Sequence, residues 1–143
     1  MVGVERSFTV AQPIDVVVGY LADFAHAEAW DPGTKTCTPL NDGPVMVGKQ
    51  WHNVSEIKGH ETELTYTLSR QEPDHLTFVG ENKGAASTDD LSFASEGTGT
   101  RITYHTNIEL HGLLKIIGPF AQHEFEKLGD ATERQLTEVL NAL

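Results

Sequence analysis

Hydrophobic and polar positions alternate along most of this chain and give way to helical spacing in two places, early on and at the C-terminus. From Val4 to Val10 the residues Val4, Arg6, Phe8 and Val10 fall on one side and Glu5, Ser7 and Thr9 on the other. That pattern predicts a strand, ended by Ala11-Gln12-Pro13. Pro13 opens a helical run, PIDVVVGYLADF, whose buried face is Ile14, Val17, Val18, Leu21 and Phe24. Proline suits a first helical turn because an N–H there would have no partner anyway. Ala25 to Trp30 predicts a second short helix, stopped by Asp31-Pro32-Gly33, since the residue before a proline is driven out of the helical region. Lys35 to Leu40 predicts an edge strand, because Pro39 cannot donate to a ladder.

Five further strands follow: Lys49 to Ile57, Glu61 to Gln71, Leu76 to Glu81, Ser87 to Ala94 and Arg101 to Leu110. On their inward faces Thr62, Leu64, Tyr66 and Leu68 fall together, as do Asp89, Leu91 and Phe93, and Trp51 with Asn53 and Ser55. Ile102, Tyr104, Thr106, Ile108 and Leu110 form the last inward face, opposite Arg101, Thr103, His105, Asn107 and Glu109. Short turns between successive strands predict an antiparallel meander. From Pro119 onward Ala121, Phe125, Leu128, Leu136, Val139, Leu140 and Leu143 recur at spacings of three and four, with Thr132 the polar position between. This is one stripe on a helix of roughly 25 residues, about 37 Å long.

The order predicts an α+β fold in which a curved antiparallel sheet of six to seven strands wraps a long C-terminal helix, with two short helices after the first strand. The whole chain, 1–143, reads as one domain. A helix about 10 Å across cannot fill a wide concave sheet face, so a space is expected between them, either packed with aromatic side chains or left as a cavity.

These segments resemble the START-related helix-grip superfamily (SRPBCC), specifically its polyketide cyclase/dehydrase and lipid-transport branch. The likeness is carried by VAQPIDVVVGYLADF with the strand before it, by Trp30-Asp31-Pro32 and by Val47-Gly48. It continues through YTLSRQEPDHLTFVGEN, STDDLSFASEGTGTRITYHTNIEL, and GPF with FEKLGDATERQLTEVL, and so spans nearly the whole chain. These are turn and core signals. They imply the helix-grip fold and a cavity that carriers, cyclases and aromatases of the family all use, without choosing among those roles.

Charge narrows the partners. Ten Lys and Arg against 21 Asp and Glu give a net charge of -11, which repels phosphate backbones, so no nucleic-acid partner is expected. Cys37 is the one cysteine, no run of eighteen apolar residues appears, and the first residues lack a basic leader followed by an apolar core. No transmembrane segment and a cytoplasmic address are the expectation. A monomer and a homodimer both remain open.

The candidate chemistry is sparse. The seven histidines show no zinc-like spacing, and there is no GxSxG, GxxxxGK[ST] or strand-to-helix GxGxxG. No metal and no cofactor are expected. Asp89, a carboxylate on an inward face, and His123, one turn into the last helix, are the candidates for acid–base work. A wet strand end for Asp89 and a solvent-facing position for His123 are the plainer alternatives. Asp89 and Asp90 point to opposite faces and form no dyad. Trp30, Trp51, Tyr66, Phe78, Phe93, Tyr104 and Phe120 are the expected ligand contacts, together with His123 and Leu128, while Phe125 joins them as an aromatic on the same helix. Glu124 and Ala131 are expected along the same wall, and Gly129 marks either a close backbone approach or a gate. The preferred function is binding of a small or medium hydrophobic ligand, lipid-like or polyketide-like. A cyclase/dehydrase-type enzyme and an interaction module with a collapsed cavity are the alternatives.

Overall fold

The computed structural model describes residues 2–57, 59–111 and 118–143, apart from the side chains of 57 and 118–121. Seven strands form one antiparallel sheet: β1 Val2–Val10, β2 Thr34–Pro39, β3 Gln50–Ile57, β4 His60–Glu72, β5 His75–Glu81, β6 Ala85–Glu96 and β7 Gly99–Leu110. The spatial order is β1-β7-β6-β5-β4-β3-β2. From β1 at one edge the chain crosses to β2 at the other through α1 (Ile14–Ala22), a 3-10 turn (Phe24–His26) and α2 (Ala27–Trp30). It then returns hairpin by hairpin until β7 pairs with β1. Pro39 indeed lies on an edge strand, where its missing N–H interrupts no inner ladder.

The helical run after Pro13 is shorter than its periodicity suggests. It breaks at Asp23, whose backbone is extended and whose carboxylate accepts from the Ala25 N–H at 3.0 Å, starting a new turn. The long helix α3 spans Gly118–Asn141 and lies against β1 and α2. Leu143, placed by spacing on its apolar stripe, falls beyond the helix end and is exposed.

The inner faces of β3, β4, β6 and β7 change character along their length. At one end Trp51, Leu68, Leu91, Phe93 and Ile102 pack with Leu136 and Leu140 of α3 and with Val17 and Leu21 of α1. Phe24 is the hub of this end, its ring 4.4 Å from Phe78, 4.6 Å from Tyr66 and 6.0 Å from Trp30. At the other end the inward positions become Ser55, Thr62, Ser87, Asp89 and Thr106. α1 and the end of α3 cover the apolar end; the earlier part of α3 and the turn after α2 border the polar one.

Candidate functional site

A cavity of about 110 Å³ lies where those faces turn polar, between the sheet and the first half of α3. Val4, Leu64, Ile108, Phe125 and Leu128 give it apolar walls. Asp31, Asp89, Tyr66 and Tyr104 line it too, as do the hydroxyls of Ser55, Thr62, Ser87, Thr106 and Thr132.

Strand register explains how Asp89 comes to be buried there, with only 5% of its surface exposed. It sits directly across from Phe78 on β5 and Thr106 on β7. Thr106 Oγ1 donates a short hydrogen bond to Asp89 Oδ1, and the Tyr104 hydroxyl reaches the same oxygen at 3.5 Å. Burial pushes the Asp89 carboxyl up to about 7. The Thr106 hydrogen bond opposes that rise, the charge of Asp31 adds to it, and the Tyr104 contact opposes it again. A carboxyl poised near neutral pH in an enclosed site can give or take a proton. Burial, and then the Asp89 charge, hold the phenols of Tyr66 and Tyr104 well above their ordinary range, so both keep their protons and serve as donors.

Asp31 enters from the end of α2. Its carboxylate accepts from the Gly33 N–H at 3.2 Å and from Thr34 Oγ1 at 2.8 Å, which fixes the turn into β2 and aims the group at the cavity wall. Burial raises its proton affinity also, against the pull of those two donors. Tyr66 is placed by an absence: a Cβ on Gly80, its partner across β4–β5, would lie 2.7 Å from the phenol ring. Gly80 gives the ring its space.

On the helix side Phe125, Leu128, Gly129 and Thr132 form the wall. A Cβ on Gly129 would sit 2.6 Å from Val4 Cγ2 and 3.3 Å from Arg6 Cζ, so this glycine marks a close approach of α3 to β1. Beside it Arg6 donates to Glu126 Oε2 and Asp130 Oδ1, each at 3.0 Å. The Gln122 amide makes a two-way pair with the Gly3 backbone, at 3.2 Å and 2.8 Å.

Residues 1–143 match the family model described as polyketide cyclase / dehydrase and lipid transport. The chain belongs to that family. No curated protein matches it in sequence. A START superfamily protein from Mycobacterium smegmatis has a similar structure, with a TM-score of 0.81 at 15% identity, over 98% of this chain and 97% of that one. For a protein from Thermus thermophilus the values are 0.82 and 13%, over 98% and 97%. The Zhui aromatase/cyclase from Streptomyces gives 0.73 and 14%, over 98% and 91%. At such identities the likeness shows the fold, helix-grip as the sequence implies.

Within this family member the residues expected at the site part company. Tyr66, Tyr104 and Leu128 line the cavity together with Asp89, and Phe125 does so as well. Trp30, Trp51 and Phe78 lie instead in the packed aromatic cluster, with Trp51 Nε1 donating to Asp23 Oδ1 at 3.3 Å. Phe93 is buried in the same core, outside the lining. Trp30 packs edge-on to Tyr104 at 6.1 Å and so backs the cavity wall without forming it. His123 is exposed, two positions from Phe125 and therefore turned to the far side of the helix. Glu124 and Ala131 are half-buried and outside the lining. The side chain of Phe120 lies outside the described residues. Among the described residues no helix is long and apolar enough to cross a membrane.

Sequence reasoning passed over Asp31 as a site residue, reading it as a helix stop and as part of the Trp30-Asp31-Pro32 motif. No spacing rule separates a capping carboxylate that faces inward from one that faces water. Ser87 and Thr106 carried a usable signal, since both share an inward face with Asp89 or Tyr104.

Proposed function

We propose that the chain binds a hydrophobic ligand in the cavity between the sheet and α3, with Asp89, Tyr66 and Tyr104 orienting its polar atoms. The observation behind this reading is the convergence of those three side chains on a space whose apolar walls are Val4, Leu64, Ile108, Phe125 and Leu128. Family membership supports it, since the family's own description includes lipid transport. Size sets a limit. Sites for drug-sized ligands run to roughly 300–1,000 Å³, whereas a dry cavity of about 150 Å³ holds one benzene. About 110 Å³ suits one small ring. Native mass spectrometry of the freshly purified protein tests the reading: a co-purified small molecule is the expected result. A clean apo mass, together with no chemical-shift response to benzyl alcohol, would sink it.

A second reading, a cyclase/dehydrase-type enzyme, is favoured by the Asp89 carboxyl alone, poised at about 7 with two phenols beside it. The Zhui aromatase/cyclase shares the fold. Asp89→Asn separates the two. A carrier keeps nearly all its affinity for a neutral ligand, whereas an enzyme acting on a poly-carbonyl substrate loses turnover by about 10²-fold or more.

A further inference from the structure

The cavity wall carries the carboxyl groups of Asp31 and Asp89, and among the described residues no Lys, Arg or His lines it. Arg6 comes near, on the inner side of β1 beside Gly129, but its guanidinium is already committed. It donates to Glu126 Oε2, Asp130 Oδ1 and the backbone oxygens of Glu5 and Glu126. Asp89 is unevenly satisfied. Both hydrogen bonds it receives from described residues fall on Oδ1, and Oδ2 receives none although the residue is buried and lines the cavity. Among the described residues Trp30 Nε1 is the buried side-chain polar atom without a partner, so Oδ2 is not sealed off from the cavity and a ligand's N–H can reach it there.

We infer that the cavity sorts ligands by charge, taking a ring-sized organic amine as its ammonium cation and refusing carboxylates and phosphates. The inference rests on the ligand-binding reading above and deepens it. An anion entering would meet the Asp31 and Asp89 carboxyl groups in a low-dielectric space whose described lining offers hydroxyl donors but no countercharge. An ammonium group supplies the N–H that Asp89 Oδ2 lacks, while its ring is taken up by the apolar wall and the faces of Tyr66, Tyr104 and Phe125. The net charge of -11 acts in the same direction at long range, raising the local concentration of cations at the protein surface.

The pH dependence has a definite sign. Among the described residues the titratable groups facing Asp89 are Asp31 from the end of α2, Tyr66 from β4 and Tyr104 from β7. Among the described side chains of α3, the cavity meets Phe125, Leu128, Gly129 and Thr132. Both phenols keep their protons. A bound cation favours the carboxylate form of Asp89, so amine affinity rises as pH passes through about 7, with release of a proton on binding.

Titration calorimetry with benzylamine, benzyl alcohol and benzoate, on the full chain and on Asp89→Asn, tests this directly. Benzylamine is expected to bind tightest and to gain about tenfold between about pH 6 and about pH 8, while benzoate binds at least about tenfold more weakly than benzyl alcohol. Asp89→Asn is expected to lower benzylamine affinity by about tenfold or more and to flatten its pH profile. Should that variant fail to fold, the wild-type pH profile and charge order carry the test alone. Benzoate binding as tightly as benzylamine, or an amine affinity that falls with pH or ignores Asp89→Asn, overturns the charge selectivity and leaves the ligand-binding reading standing. Binding of none of the three overturns both.

Discussion

The first half of α3 is held against β1 by polar contacts and borders a void, whereas its second half is held by Leu136 and Leu140, which lose all solvent contact in the core. Each buried leucine contributes about 1.5–3 kcal/mol without regard to orientation. The Arg6 ion pairs are partly exposed, and such pairs contribute about 0–1 kcal/mol each; the Gln122–Gly3 pair adds about 1 kcal/mol per hydrogen bond. Polar fastenings of this kind exchange for water at little net cost. One helix thus has an anchored end and an end that can be released, and the cavity lies under the releasable one.

The widest gap between the halves should appear in truncations. Leu136→Ala is expected to cost about 2–5 kcal/mol in urea unfolding, against about 1 kcal/mol for Leu128→Ala, which is half-buried and already faces empty space. Equal costs would break the comparison. Gly129→Ala comes next. Its methyl group meets Val4 Cγ2 and strains the β1 contact, but helix propensity returns about 1 kcal/mol, so a net loss of about 1 kcal/mol is expected in thermal unfolding. A more stable variant would show that the helix has room to shift there. The smallest effect belongs to Glu126→Gln: under about 1 kcal/mol in global stability, with faster amide exchange in the first half of α3 and no change around Leu136 to Leu140. Equal acceleration of both halves would mean that they open as one unit.

Most of the fold was legible because burial on one face imposes a period, and the chain carries little that contradicts it. Arg101 to Leu110 alternates cleanly, and Ile102, Tyr104 and Thr106 are buried as the pattern requires. The division of the aromatic residues was not legible. Trp51 and Tyr66 are adjacent across β3–β4, yet one packs against Phe24 and Phe78 while the other also reaches the cavity. That depends on where α1 and the 3-10 turn end over the sheet and where the cavity begins, which is a tertiary fact. Asp31 was hidden for the same reason: its role as a helix stop is local, and its exposure to the cavity depends on where α2 docks.

Gln122 has a consequence beyond fastening a helix. Its amide occupies the N–H and C=O of Gly3 much as a neighbouring strand would, and β1 is an end strand of the sheet. When the first half of α3 lifts, those backbone groups are bared to other copies of the same chain, and pairing along β1 becomes a route to strand exchange and aggregation. The side chain therefore covers one point of the β1 edge, the kind of cover that blunts edge-to-edge pairing.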